Sequence, residues 1–317
     1  MSKNNLGSNE RKTGLIFLHA LTSLHPGSGT ALGAVDLPVQ RERHTQWPVI
    51  QGSSLKGVIR DECRKKADNP EKHREIFGSE ADDKLTELAS AVSFTDARVL
   101  AFPVRSLKGV FAWVTCPRAI NELFRILKLS DSSIPFPEYN FPEFSTEEAI
   151  APDIENSEVL IDKQNIVLEE YDYKISNHEN SEKIKNLTEW IFDKVIAVDM
   201  TEKHFINHFI ILHDEEFSNL VQHTTDVQAR IRLNERKNVV RGALFYEELI
   251  PPETIFYSIV NIESTKVGND PMKPEGVKKY LMQKSPKILQ IGSDETTGKG
   301  FCSLKYCMEE VQENAAS

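Results

Sequence analysis

Four cysteines in 317 residues, Cys63, Cys116, Cys302 and Cys307, are too few for a disulfide framework. No two are spaced C-x-x-C. Cys302 and Cys307 stand C-x4-C within GKGFCSLKYC, which reads as a strand, so no zinc knuckle is expected and the thiols are read as packing groups. No run approaches eighteen apolar residues, and the opening MSKNNLGSNERKTG is polar where a leader peptide carries an apolar stretch. Membrane insertion and secretion are therefore not expected, and a cytoplasmic location is. The G-x-S-x-G elbow of serine hydrolases is missing, as is any internal repeat. HFINH sets His204 and His208 at i, i+4 but lacks the glutamate of H-E-x-x-H, so the pair is read as ordinary core or surface histidines.

The loop GSDETTGKGF (292–301) fails the phosphate-binding pattern G-x4-G-K-[ST] twice. Five residues separate Gly292 from Gly298, and Gly300 follows Lys299 where a hydroxyl is required. Two readings remain open for it: a plain hairpin turn, or a place where backbone passes close to a phosphate chain.

What is present is an ordinary globular composition, 39% hydrophobic, with a net charge of -10. That charge argues against a nucleic-acid partner only until it is mapped. Residues 138–183 hold thirteen acids against three lysines, which accounts for the whole of it. The remainder is neutral on balance, and residues 41–66 hold seven cations against three acids. Steering of a polyanion is local to a groove, so the acidic total does not exclude RNA.

Along the chain, TGLIFLHALTSLH (13–25) reads as a first strand stopped by Pro26-Gly27, and a glycine-rich loop follows. Ser53 or Ser54 is expected to cap a helix through Ala67, with Leu55, Val58, Ile59 and Cys63 on its apolar side and Lys56, Arg60 and Arg64 as a basic stripe on the other. AVSFTDARVLAFPV and GVFAWVTC predict a hairpin, and PRAINELFRIL a helix. Strand, helix, hairpin and helix in this order suggest an α+β ferredoxin-like core whose last strand arrives later.

The stretch 130–183, with Pro135, Pro137, Pro142 and Pro152 and then the acids, is expected to be an exposed, partly ordered insert. SEKIKNLTEWIFDKVIA predicts an amphipathic helix. VQARIRLNERKNVVRGALFYEELIP (227–251) alternates apolar and charged positions as a β-hairpin arm does. TIFYSIVNIES reads as a strand, GVKKYLMQK as a short helix, and the end as strand, loop and strand.

Within HPGSGTALGAVDLPVQRER (25–43), Asp36 stands alone between glycines and a small basic cluster, and composition by itself reads it as a turn cap. The longer stretch HPGSGTALGAVDLPVQRERHTQWPVIQGSSLKGVIR resembles the N-terminal signature of the backbone subunit of Cmr complexes, the type III-B CRISPR-Cas effectors, within the RAMP superfamily. The resemblance continues through FGSE, VSFTDARVLAFPVRSLKGVFAWVTCP, FYEELIPPETIFY and IGSDETTGKGF.

It implies a single RAMP domain over 1–317. A modified ferredoxin-like or RRM-like core would span 13–130 and 254–308, an acidic inserted lid 131–197, and a β-hairpin thumb region 198–253. Copies of such a subunit stack head to tail along a guide RNA (crRNA) beside other Cmr subunits, and complementary single-stranded target RNA is cut at regular intervals. The implied catalytic residue is Asp36 of VDLP, aided by a divalent metal, expected to be Mg2+, that Asp36 recruits unless it acts as base. His25, Glu247 and Tyr246 are further candidates, although some relatives carry an aromatic residue where this chain has Leu249.

Guide binding is assigned to Lys56, Arg60, Ser53, Ser54, Arg41, Arg43, Arg236, Arg241, Gly298, Lys299 and Gly300, with the acidic insert held away from RNA. The competing reading is a guide-binding scaffold without cleavage activity.

Overall fold

The run LIFLHA has no polar side, and the computed structural model buries it on both. In β1 (Lys12–Ala20), Ile16, Leu18 and Ala20 enter one apolar core while Leu15 and Phe17 enter another across the sheet. Period-two alternation in a strand covered on both faces gives this division. The structure describes residues 11–31, 33–79, 88–129, 134–137, 139–176, 181–197, 200–266 and 271–308.

Twelve strands form the sheet. Its order is β13 (Ile288–Gln290), β14 (Phe301–Cys307), β1, β12 (Ile255–Ile262), β4 (Ala97–Arg105), β5 (Phe111–Thr115), β9 (Phe209–Leu212), β6 (Glu148–Ile150), β8 (Tyr171–Ile175) and β7 (Asn165–Leu168). The short β2 (Val49–Ile50) pairs with β4, and β3 (Val92–Phe94) with β12.

Helices α1 (Gly52–Lys65), α2 (Pro70–Phe77), α6 (Asp214–His223) and α7 (Pro274–Lys284) pack into the first core through residues such as Leu55, Phe77, Phe217 and Leu281. The second core receives α3 (Pro117–Leu129), α4 (Ser181–Val195) and α5 (Glu202–Asn207) through Leu123, Leu187 and Phe205. Each such side chain removed from water contributes about 1.5–3 kcal/mol. The fold is thus α+β, and among the described residues no helix is long and apolar enough to cross a membrane.

The neighbours β14, β1, β12 and β4 are antiparallel throughout, with α1 between β1 and β4 in sequence and α7 between β12 and β14. The sequence pattern expects the hairpin partner β5 and helix α3 in this unit. The β4–β5 hairpin forms, but the strand seated between β1 and β4 is β12, and α7 takes the place expected for α3. TIFYSIVNI is apolar on both faces where FAWVT pairs onward to β9, so the more fully buried strand occupies the centre.

Within the stretch 130–183, of which Glu138 and Glu179 lie outside the described residues, three strands are built onto the sheet. β6 joins the main sheet by pairing Ala149 and Ile150 with Leu212 and Ile211 of β9, and β8 and β7 extend it. Two acids of the stretch serve turns: the Asp162 carboxylate accepts the backbone N–H groups of Gln164 and Asn165, and Asp153 accepts that of Asn156. Ile166, Leu168 and Tyr173 meanwhile face the core. Among the described residues, then, this acidic stretch contains paired strands whose apolar side chains reach the core.

The region 198–253 divides as well. α5, β9 and α6 belong to the body, and only β10 (Asp226–Leu233) and β11 (Val239–Leu249) form the separate two-stranded arm. Val227, Ile231, Leu233, Val239 and Leu244 lie exposed along it. The loop 292–300 is a hairpin connection between β13 and β14, and all four cysteines are free, three of them buried.

Candidate functional site

The glycine-rich loop after β1 leaves the sheet and returns beside the base of the arm. Leu24 exchanges backbone hydrogen bonds with Ile250, Gln40 N–H donates to Pro26, and Ser28 N–H donates to Pro38. Residues 28–38 are thereby closed off as an excursion. Its last turn pairs with β11: the N–H groups of Asp36 and Leu37 donate to the Tyr246 carbonyl, and Glu248 N–H donates to Leu37. In return Tyr246 N–H donates to Asp36 Oδ2 at 2.8 Å. Asp36 is exposed, and no described residue donates to its other oxygen.

Beside this loop lies a cleft of about 680 Å³ lined by His25, Gln51, Ser54, Arg230, Glu247 and Asp294, among others. His25, 4% exposed, lies 2.6 Å through Nδ1 from the Glu248 carbonyl. A carbonyl only accepts, so Nδ1 carries the proton and Nε2 of the neutral ring is an acceptor. Nε2 lies over Gly27, where any Cβ would come within 2.8 Å of it, and stands 3.9 Å from Glu247 Oε1.

Glu247 is 2% exposed, and its Oε2 receives Arg230 at 2.7 Å. Arg230 also pairs with Asp294, and the hydrogen bond to Glu247 leads in holding its guanidinium pKa above the ordinary value. The buried carboxylate is thus matched by a guanidinium and not left without a partner. The Tyr246 ring is 42% exposed, turned to the opposite side of the strand from Glu247.

Glu248 plays a different part. Arg41 reaches Oε1 at 2.6 Å, Thr225 Oγ1 donates to the same oxygen at 2.7 Å, and Val39 N–H donates to Oε2 at 2.9 Å. Burial pushes the Glu248 carboxyl up, yet these three donors together outweigh it and hold it below its ordinary range. Arg41, expected to meet RNA, is therefore the clamp that ties the loop to the arm.

Helix α1 aims its first turn at the cleft. Ser53 and Ser54 are exposed within that turn and are not its cap; the Gly52 N–H donates instead to Asp96 Oδ1 at 2.8 Å. A side chain at position 52 would meet the Phe94 carbonyl at 2.5 Å, so only glycine lets the helix begin here. Lys56 is half-buried one turn on, its pKa lowered first by burial and then by the Arg60 charge. Arg60 donates to the carbonyls of Gly78 and Ser79 and so braces the end of α2. Within the expected basic stripe, then, Lys56 makes no side-chain hydrogen bond among the described residues, while Arg60 is tied to the end of α2.

Arg43, Arg236 and Arg241 are exposed, the last two on the outer part of the arm. Lys299 Nζ donates to Gln228 Oε1 at 3.2 Å, joining the 292–300 loop to the arm, and Gly298 and Gly300 both have left-handed φ, 77° and 81°. Ser293 N–H donates to the His25 carbonyl, so this loop also props the histidine.

The structure therefore gathers His25, Glu247 and Ser54 in one cleft, with Asp36 and Tyr246 adjacent in sequence to its lining residues Leu37 and Glu247, while Arg41 and Arg60 make contacts within the chain. Sequence reasoning missed Arg230 as the partner of Glu247 and Asp294 as the second partner of Arg230. The signal lay in the arm's register: Arg230 opposes Phe245, diagonal to Glu247, but an irregularity between Ile231 and Leu233 defeats counting from the turn.

Comparison with known proteins agrees on lineage. The family model of the RAMP superfamily matches residues 17–303. The CRISPR system Cmr endoribonuclease Cmr4 of Pyrococcus furiosus is 40% identical over 312 residues, covering 96% of this chain and 99% of that protein. The crystal structure of oligomeric Cmr4 from the same organism superimposes with a TM-score of 0.71 at 32% identity, over 95% of this chain and 99% of that one. A chain of the type III-B Cmr-beta complex bound to cognate target RNA shares the fold, with a TM-score of 0.67 at 22% identity over 93% of this chain and 96% of that one. The chain belongs to the RAMP superfamily, within the Cmr4 family of CRISPR systems.

Proposed function

We propose that this chain is the RNA-cleaving backbone subunit of a type III-B effector: it binds guide RNA, stacks with further copies and other Cmr subunits, and cuts complementary target RNA through Asp36. The observation that carries the reading is the Asp36 carboxylate, held at one oxygen by the Tyr246 amide and open at the other, next in sequence to Leu37, which lines the His25 cleft. We read β14, β1, β12 and β4 with α1 and α7 as a modified ferredoxin-like or RRM-like core, the arm as the thumb, and 131–197 as a lid region built onto the sheet.

RNA carries its own nucleophile. The 2'-hydroxyl oxygen bonds to phosphorus, the bond to the 5'-oxygen breaks, and one proton leaves the 2'-oxygen while another reaches the 5'-oxygen. The protein then has to hold these atoms in line and assist the proton transfers. Asp36 presents its unpartnered oxygen for the 2'-hydroxyl side. His25 Nε2, left as an acceptor by the Nδ1 hydrogen bond, orients substrate hydroxyls in the cleft, and the proton that reaches the 5'-oxygen comes from water. Arg230 answers the charges of Glu247 and Asp294, so the cleft does not repel a phosphate as two bare carboxylates would.

No group of three His, Cys, Asp or Glu donors among the described residues includes Asp36. A Mg2+ ion would take that same open oxygen of Asp36 together with substrate phosphate oxygens, in which case Asp36 is a metal ligand and not the base. Bound so, it supplies neutralisation of phosphate charge.

For the guide, the first turn of α1 offers the backbone N–H groups of Ser53 and Ser54, and Lys56 adds a charge. Such contacts ignore base identity, as acceptance of any guide requires. The exposed Arg43, Arg236 and Arg241 extend the basic surface. Mixing the chain with its partner subunits, a guide and a complementary target tests the reading. Guide-dependent cuts at a fixed spacing are expected, and a target bound but intact would favour the silent scaffold.

A further inference from the structure

Away from the Asp36 cleft, two histidines and a glutamate converge on one point. Helix α5, capped by the Thr201 hydroxyl, carries His204, and His208 stands one turn later at its C-terminal end. Their rings lie 4.2 Å apart between centroids, with the edge of Trp113 against both. Glu158 comes from the other side. Its backbone N–H donates to the Asn207 carbonyl at 3.0 Å, and its Oε1 accepts from Asn207 Nδ2 at 3.1 Å. Held at both ends, the carboxylate turns Oε2 toward His208 Nε2 at 3.9 Å.

The ring orientation is specific. His208 Nδ1 lies 2.9 Å from the His204 carbonyl, which fixes the proton on Nδ1 and leaves Nε2 bare and directed at Glu158. A backbone carbonyl behind one nitrogen is the usual way a protein aims the other nitrogen at a metal. His204 has no hydrogen bond to its ring among the described residues. One donor atom from each of Glu158, His204 and His208 lies within 4.8 Å of the other two.

We propose that Glu158, His204 and His208 form a binding site for a transition-metal dication of the Zn2+ class. Two imidazole nitrogens and one carboxylate oxygen suit zinc, cobalt or nickel rather than Mg2+, which prefers oxygen alone. Metal bonds of about 2.0–2.1 Å bring tetrahedral ligands to about 3.3 Å from one another. Rotation of the half-exposed Glu158 and of His204 supplies the remaining closure. Three protein ligands leave a fourth position for water or another donor. The ion links residues 157–160 to α5 immediately before β9, fastening the acidic region to the body of the sheet.

The test titrates Zn2+ and Co2+ into the full-length chain after treatment with a chelator. The proposal expects one equivalent bound, cobalt absorption typical of nitrogen and oxygen ligands, and a rise in unfolding temperature with zinc. His204→Ala and Glu158→Gln each weaken binding by at least about tenfold. Circular dichroism verifies the fold of both variants; should His204→Ala unfold, Glu158→Gln carries the comparison, because that side chain is half-exposed and keeps its hydrogen-bonding shape. The proposal is overturned if the untouched chain binds no zinc, if affinity is unchanged in Glu158→Gln, or if an intense thiolate-to-cobalt band reveals cysteine ligation.

Discussion

The main-chain amide of Tyr246 donates to the Asp36 carboxylate at 2.8 Å, so the loop aspartate is positioned by the backbone of the arm and not by a neighbouring side chain. The Tyr246 ring points elsewhere and is largely solvent-facing. Tyr246→Ala therefore leaves the placement of Asp36 and the stability of the chain unaltered, within about 0.5 kcal/mol in chemical denaturation. A larger loss would show that the ring, not the backbone, secures this junction.

Gly292 and Gly298 share a loop and a left-handed φ but differ in what surrounds them. A Cβ at Gly292 would stand 2.3 Å from the His25 carbonyl oxygen, while nothing lies within 4 Å at Gly298. Gly298→Ala costs about 1 kcal/mol, the conformational penalty alone. Gly292→Ala costs about 2 kcal/mol or more, because it adds a steric conflict, and it displaces His25. Denaturation midpoints of the two variants make the comparison, and equal losses would count against the close packing of this loop on His25.

Glu248 predicts a pH dependence. Its carboxyl sits below the ordinary value of 4.5 in the folded chain, so the folded form binds a proton less readily than the unfolded one. The resulting stability is present above pH 4.5 and is lost as pH falls through the lower folded value. Glu248→Gln removes that contribution, and its stability changes less steeply than wild type over roughly pH 5 to 3. Parallel curves for the two proteins would contradict the clamp between Arg41 and Glu248.

Arg230→Ala strands Glu247 as a buried, unmatched charge, since a 2% exposed carboxylate cannot reach water. The expected loss is about 2–3 kcal/mol, below the full buried-pair value because the Arg230 side chain is partly exposed. Adding Glu247→Gln to that variant recovers part of it, giving a coupling energy of about 1–3 kcal/mol in a double-mutant cycle. Additive losses would mean that the pair is not energetically joined.

Local pattern made much of this readable from the chain. The arm was legible because charged and apolar residues alternate from Val227 onward, and α1 because Leu55, Ile59 and Cys63 repeat at helical spacing. Two features were not legible. β6 buries only Ala149 and Ile150 and is stabilised by pairing to Leu212 and Ile211, some sixty residues away, so a local count registers only its acids. The choice of β12 over β5 beside β4 in the central unit likewise rests on long-range burial. Within the site, Asp36 and His25 were named through a resemblance. Arg230, Asp294 and the capping role of Asp96 are contacts across the fold that no spacing encodes.

The central claim is that Asp36 supplies the catalytic carboxylate, and the assembled complex tests it directly. Asp36→Ala is combined with guide, target and partner subunits, and single-turnover cleavage is measured beside target binding. The account predicts cleavage reduced by at least about 100-fold with binding retained. Cuts at the same spacing and at the wild-type rate would contradict it.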